Sequence, residues 1–480
     1  MGWGDHHRVV WGASAPGKVL LFGEHAVVYG MTAVAASINL RTTVVASISN
    51  KNEKETMDDI VDPYSVAAES EKSISLHLAD LEVRLTWPIR EIIAAMGMWG
   101  TPERLWWSPE QSGMGAPAKV VACDDLLLGI LHELVQDQLP AELQNDHALL
   151  TCASVFLHLY LHILGCREGE VRVTSQLPTG AGLGSSASFC VALSGALLAP
   201  CGILESADQS QVQREESTSE GGQEMHKLWD PALTLVNRWA FEGEKVIHGK
   251  PSGVDNNICS RGGMLGFRQG EIMWQVGGQE AGQQLPGSIL VTNTGVGRNT
   301  SAMVAALRSR IARHPRVMEE ILEAANAISA EFMNLVGAYK REGEGAKDGA
   351  KGEEQEEEEE EEEGKEGKQG LLSAAEMEVC AEEQDLRRRL PELIEINQKL
   401  LECMGVSHPT IEEVCRITAK FGLASKLTGA GGGGCVLSWL PSDISCDLLE
   451  SIKAELHASG FRCFQTVFGG EGLQLWRGVD

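Results

Sequence analysis

At 480 residues, 43% of them hydrophobic, the chain is long enough for two domains with separate cores, and its composition is that of an ordinary globular protein. A formal net charge of −28 argues against nucleic acid or an anionic membrane surface as the main partner, although a local cluster of cationic groups can override it at one site. The twelve cysteines form no Cys-x-x-Cys pair, and MGWGDHHRVV lacks the apolar core of a secretory signal; a reducing, cytoplasmic setting with mostly buried thiols is expected.

In chain order, Val9–Trp11 and Val19–Phe22 read as short β-type runs separated by a turn at Ala15-Pro16-Gly17-Lys18, with a helix to follow before residue 40. Arg41–Ser49 alternates as a further strand. Three polar or turn-rich stretches read as loops: Asn50–Glu71, Met98–Lys119 and Glu205–Glu224. His147–Cys166 is apolar nearly all round, yet it is short for a membrane span and carries His158 and His162, so a buried core helix is expected. The two histidines have metal-ligand spacing, i and i+4, but lack the glutamate a zincin requires; a packed pair is the better reading. Phe189–Leu198 continues a helix, and Ile321–Val336, Leu386–Leu401 and Thr410–Phe421 carry helical periodicity. Between them Lys340–Lys368 includes eight consecutive glutamates, Glu356–Glu363. Like charges at that density repel, so a disordered insertion is expected, with an acidic segment docking a basic partner as the alternative. No internal repeat is visible, and the division expected is 1–283 and 284–480, the second domain interrupted at about 340–368.

Chemistry concentrates in glycine-bearing segments. Leu177–Ser188, LPTGAGLGSSAS, places Gly180, Gly182 and Gly184 at alternate positions before paired serines and a helix. Glycine takes up left-handed backbone at little cost, and amides converging on a helix N-terminus bind anions, most often phosphate. The serines are expected to cap the first helical turn. Gly12–Lys18 is most of a Walker A loop, but Val19 stands where the Mg²⁺-holding hydroxyl belongs. Gly429–Gly434 fits G-x-G-x-x-G, but a strand-like run follows where a dinucleotide-binding fold needs a helix. The protein-kinase triplets are absent.

Taken together and in this order, Ala15–Gly30 (APGKVLLFGEHAVVYG), Pro178–Ser188 and Lys426–Cys435 (KLTGAGGGGC) resemble the GHMP kinases, the superfamily of galactokinase, homoserine kinase, mevalonate kinase and phosphomevalonate kinase. Within it, GEHAVVYG at 23–30, HGKPSGVDN at 248–256, TNTGVGRNT at 292–300 and GVSH at 405–408 are similar to the mevalonate kinase form. The resemblance runs from about residue 9 to 470, with the loops as insertions.

It implies an α+β fold of two domains, the first like ribosomal protein S5 domain 2 and the second ferredoxin-like, with ATP in the cleft between them. It implies transfer of the γ-phosphoryl of ATP to the 5-hydroxyl of mevalonate, with Asp255 as general base and Lys18 as its electrostatic partner and an ATP contact. Residue for residue, Gly180, Ala181, Gly182, Leu183, Gly184, Ser185 and Ser186 correspond to the phosphate cradle, Ser175 to a further ATP contact, and Ser186 and Glu244 to the Mg²⁺ ligands. Glu24 and His25 would face the acceptor; Arg298 and Thr300 lie in a family-like segment whose roles stay open. Asp80 aligns where relatives carry an asparagine that touches the nucleotide, which leaves the adenine side unassigned. A homodimer and inhibition by prenyl diphosphates are implied as well. The C-terminal Gly-Val-Asp carries no peroxisomal address. Two rivals remain: a superfamily kinase acting on another small molecule such as a sugar, and a binding protein that keeps the fold without turnover.

Overall fold

The computed structural model of the chain describes residues 8–49, 72–97, 120–178, 180–202, 225–226, 230–277, 285–353 and 374–478. The three loop stretches expected at 50–71, 98–119 and 205–224, and the glutamate run, lie outside them.

The first strand, β1 (Arg8–Phe22), is continuous where a turn was expected. Pro16 sits at a register shift against β2 (Ala33–Ser49), between Pro16 and Gly17, a bulge where the ladder loses a bond in any case and proline is tolerated. The helix expected before residue 40 is only a 3₁₀ turn, Ala26–Tyr29. Ala33–Ile38 is instead strand, buried at every position; a strand covered on both faces loses the alternation that would have revealed it.

The chain continues through β3 (Ser73–Leu78), β4 (Val83–Pro88), α1 (Ile89–Met96), α2 (Asp125–Gln136), α3 (His147–Leu164), β5 (Gly169–Ser175), α4 (Ser185–Leu198), β6 (Met225–His226), α5 (Asp230–His248), α6 (Val254–Arg261), β7 (Met264–Arg268) and β8 (Glu271–Val276). The second half holds β9 (Ser288–Asn293), α7 (Thr300–Arg313), α8 (Pro315–Glu353), α9 (Ala374–Met404), α10 (Pro409–Ala419), β10 (Ser425–Leu427), β11 (Cys435–Leu440), α11 (Cys446–Ala458), β12 (Arg462–Thr466) and β13 (Gln474–Arg477). The fold is α+β. A nine-stranded sheet has the order β4-β3-β5-β2-β1-β13-β6, with β7 and β8 branching from β2. A second, antiparallel sheet has the order β10-β11-β9-β12. The last strand, β13, leaves the second half and pairs with β1, so the two sheets are not built from two uninterrupted halves. Arg41 clamps this return: its guanidinium donates to the carbonyls of Ser14, Glu471 and Gly472.

The larger core packs α2, α3, α4 and α5 against the first sheet. Among the described residues α3 is the helix long and apolar enough to cross a membrane, and most of it is buried in this core. Within it His158 and His162 are buried side by side, ring centroids 4.7 Å apart, and His162 Nδ1 donates to the His158 carbonyl at 2.7 Å. They are core residues, and burial depresses the pKa of both. The helices expected at 321–336, 386–401 and 410–421 are present in α8, α9 and α10. One boundary moves: residues 340–353, expected to be disordered, prolong α8. A formed helix extends without a new nucleation cost, which offsets the poor helix propensity of Gly343, Gly345, Gly349 and Gly352 among the Lys, Glu, Ala and Arg of this stretch.

Candidate active site

Residues 180–186 form a bare anion cradle. Gly180, Gly182 and Gly184 all adopt positive φ (70°, 81° and 73°), which only glycine takes freely. Gly184 is the N-cap of α4 and no side chain caps that helix, a correction to the expected serine cap. Ser188 Oγ donates instead to the Ala15 carbonyl at 2.8 Å, and Ser186 Oγ lies 3.2 Å from His248 Nε2. The first-turn amides of a fourteen-residue helix therefore keep their dipole and their donors for a ligand. Ala181 and Leu183 are buried and anchor the loop from beneath.

β1 runs directly past this loop. The Lys18 amide donates to the Leu183 carbonyl at 2.7 Å, and the Lys18 stem packs so closely on Gly184 that a Cβ there would come within 2.6 Å of it. The ammonium then reaches Asp255 Oδ1 at 3.0 Å. Asp255 stands in the first turn of α6, whose N-cap Gly253 has φ 78°, and its side chain remains 37% exposed while that of Lys18 is 11% exposed. A cation and the positive end of a helix thus face the Asp255 carboxylate at the edge of open space.

Beside the cradle Glu244 projects from α5. It is buried, and its Oε1 has no hydrogen-bond partner. Burial raises its pKa, opposed by the Ser186 hydroxyl and by His248 and Lys18. An orphaned buried carboxylate oxygen next to a serine hydroxyl suits a hard divalent cation that takes its other oxygens from phosphates and water. Glu242, two residues earlier, also leaves Oε2 buried without a partner, but its Oε1 is engaged by Lys245 at 2.8 Å, so a cation already serves it.

Arg298 covers the cradle from the second half. A Cβ at Gly182 or Gly434 would overlap its side chain, and one at Gly429 would lie 2.8 Å from Nη1, so the two glycine loops leave the space that this guanidinium fills. Its Nε is buried without a partner, and burial lowers its pKa. Thr300, at the start of α7, is exposed.

Glu24 does not face the acceptor space, which corrects the sequence reading. Its carboxylate is buried, ion-paired with Lys426, and accepts from Asn397 Nδ2 at 3.2 Å. The next residue, His25, has φ 61° and donates from Nε2 to the Ala430 carbonyl at 2.7 Å. Ser175 is tied into the scaffold: its amide donates to Asp80 Oδ2 at 2.5 Å, and its hydroxyl lies 2.9 Å from Thr42 Oγ1.

Two family models match this chain, the N-terminal domain of GHMP kinases over residues 148–228 and the C-terminal domain of GHMP kinases over 381–456. A mevalonate kinase of Arabidopsis thaliana is 36% identical, covering 96% of this chain and 98% of its own length. A mevalonate kinase of Mus musculus is 32% identical, covering 96% and 93%. The chain belongs to the mevalonate kinase family. Among solved structures, L. major mevalonate kinase in complex with R-mevalonate shares the fold with a TM-score of 0.53 and 17% identity, covering 95% of this chain and 94% of that one. The protein is accordingly an enzyme, an ATP-binding kinase of the GHMP superfamily.

Against this kinase, the folded chain brings Lys18, residues 180–186, Glu244 and Asp255 into one cluster, with His25 tied to the glycine loop of the second half. Arg298, whose role sequence reasoning left open, belongs to the same cluster. Its signal was present: a lone arginine between Gly297 and Asn299 in a segment leading out of a strand, with no apolar face to belong to. Lys426 carries no such signal, since in the sequence it only opens a glycine loop.

Proposed function

We propose that this kinase transfers the γ-phosphoryl group of ATP to the 5-hydroxyl of mevalonate, in isoprenoid and sterol biosynthesis. The observation that carries the reading is the Lys18–Asp255 pair at 3.0 Å, standing beside an uncapped, glycine-built phosphate cradle. Asp255 accepts the proton of the attacking hydroxyl, provided that oxygen lies within hydrogen-bond reach. Lys18 orients the base and offsets charge on the transferring group. The amides of residues 180–186 and the guanidinium of Arg298 hold the triphosphate in line with the acceptor. Ser186 and Glu244 would hold Mg²⁺, which when bound neutralises phosphate charge. No covalent intermediate with the protein is required, so alignment and electrostatics do the work. A homodimer, a cytoplasmic location and inhibition by prenyl diphosphates competing with ATP complete the reading on family grounds.

The test is Mg²⁺-dependent ADP release with mevalonate, phosphomevalonate, galactose and homoserine offered separately, the Asp255→Asn variant alongside. Turnover with mevalonate alone, lost in the variant, is expected. Turnover with another acceptor would overturn the substrate, and silence with all four despite ATP binding would favour a sensor.

A further inference from the structure

The third glycine segment, Lys426–Cys435, does more than leave space for Arg298. Its first residues fasten onto residues 20–25 at three consecutive points. Thr428 Oγ1 donates to the Leu20 carbonyl at 2.9 Å and accepts from the Leu20 amide at 3.0 Å. Lys426 Nζ pairs with Glu24 and also donates to the Leu427 carbonyl at 2.7 Å. The Ala430 carbonyl accepts from His25 Nε2 at 2.7 Å. α9 backs this seam from behind: Asn397 donates to Glu24, and Gln398 Oε1 accepts the Leu427 amide at 2.9 Å. Lys426 and Glu24 are 2% and 0% exposed at their side chains, so neither can touch a substrate.

Residues 23–30 are held at their far end, where Arg268 Nε donates to the Gly30 carbonyl at 2.5 Å, and in the middle by the buried Ala26; their near end depends on the seam. His25 lies at φ 61°, a conformation that is costly for a residue with a side chain and persists only where the surroundings fix it. The 3₁₀ turn that follows rests on local bonds, Val27 to Gly23, Val28 to His25 and Gly30 to Val27. Among the side-chain contacts of this seam, the Glu24 pair is the one made by two buried charges.

We infer that Lys426 is a positioning residue for acceptor binding: through its buried pair with Glu24 it holds His25 at its positive φ and fixes the turn that follows, whose Val27 packs in one apolar cluster with Val254, the neighbour of Asp255. The role rests on the phosphotransfer reading above, and it is separable from it. A buried carboxylate stripped of its cation must be desolvated without compensation, so residues 23–30 will rearrange to free Glu24. The nucleotide side, built from residues 180–186 and Lys18, keeps its own attachments.

The experiment compares wild type, Lys426→Met and the milder Glu24→Gln, which retains shape and the Asn397 bond if the first variant folds poorly. Each is also made in a His25→Ala background. Both are expected to raise the KM for mevalonate by about tenfold or more while the KM for ATP stays within about twofold. In the His25→Ala background neither adds a further increase, because both act through that residue. Hydrogen exchange at the amides of residues 26–30 accelerates in Lys426→Met. Equal rises in both KM values, full additivity with His25→Ala, or unchanged exchange at 26–30 would overturn the inference. If the wild type fails to phosphorylate mevalonate, the substrate reading falls alone, and exchange at 26–30 still decides whether Lys426 holds this turn.

Discussion

Two lysine–carboxylate pairs lie within a few residues of each other along the first strand and its turn, and they differ in almost everything except chemistry. Lys18–Asp255 stands at a cleft, its carboxylate 37% exposed, next to a phosphate cradle. Lys426–Glu24 is sealed at 2% and 0% exposure between β10, α9 and the turn after β1. An exposed pair contributes little to stability, because water screens it, but it is free to exchange protons. A buried pair cannot exchange protons with a substrate, and losing one member leaves a charge with no solvent. Both lysines are largely buried, so the same two side-chain types separate into a reacting pair and a holding pair by the exposure of the carboxylate.

The sharpest way to break that separation is Asp255→Asn. Turnover should fall by about 10²- to 10⁴-fold, the usual contribution of a positioned base, while the melting temperature hardly moves. A large drop in stability with preserved turnover would reverse the two assignments. The complementary substitution is Lys426→Met, expected to cost about 3–5 kcal/mol by denaturant unfolding, the range for breaking a buried pair. Lys18→Met should cost at most about 1 kcal/mol by the same measurement, the ceiling for a partly exposed pair.

The reacting pair was legible in the sequence and the holding pair was not. Gly180, Gly182 and Gly184 advertise a cradle because the chemistry is local: three positive-φ residues and a helix start lie within a few positions. Lys18 and Asp255 sit in segments whose glycines and proline mark a functional turn. Lys426 meets Glu24 across 402 residues of chain, and nothing in either neighbourhood encodes the other. Arg298 is similar, because its place depends on two glycine loops converging only once both sheets have formed. In the fold, the α3 and α4 core was readable from apolar content. The continuity of β1 was not, since Pro16-Gly17 reads locally as a turn and only pairing with β2 makes it a bulge. Ala33–Ile38 misled for the opposite reason, being buried on both faces.

Gly182→Ala tests the space left for Arg298. Its φ of 81° disfavours any side chain, by roughly 1–2 kcal/mol, and the new methyl would overlap the guanidinium. The expected outcome is a raised KM for ATP with the KM for mevalonate little changed, the mirror image of the Lys426 variants. A selective loss of mevalonate binding would instead place this loop on the acceptor side.

Glu244→Gln has the smallest expected effect and the most informative sign. Burial holds the Glu244 pKa above its usual value. Between that usual value and the raised one, the native protein carries a proton that the unfolded chain has already lost. Native stability from this group therefore falls as pH climbs through the interval, and the loss persists at neutral pH. Glutamine has no charge to desolvate, so without metal or nucleotide the variant should be more stable than wild type at pH 7 and equal to it near pH 4. Adding Mg²⁺ with ATP should reverse the order, because a ligand at ten times its Kd stabilises wild type by about 1.4 kcal/mol while the variant, missing one metal ligand, gains less. Thermal unfolding across pH, with and without Mg²⁺–ATP, reads both halves. A variant less stable than wild type without ligand would mean that the carboxylate is already satisfied inside the protein, and that its orphaned oxygen is not kept for a metal.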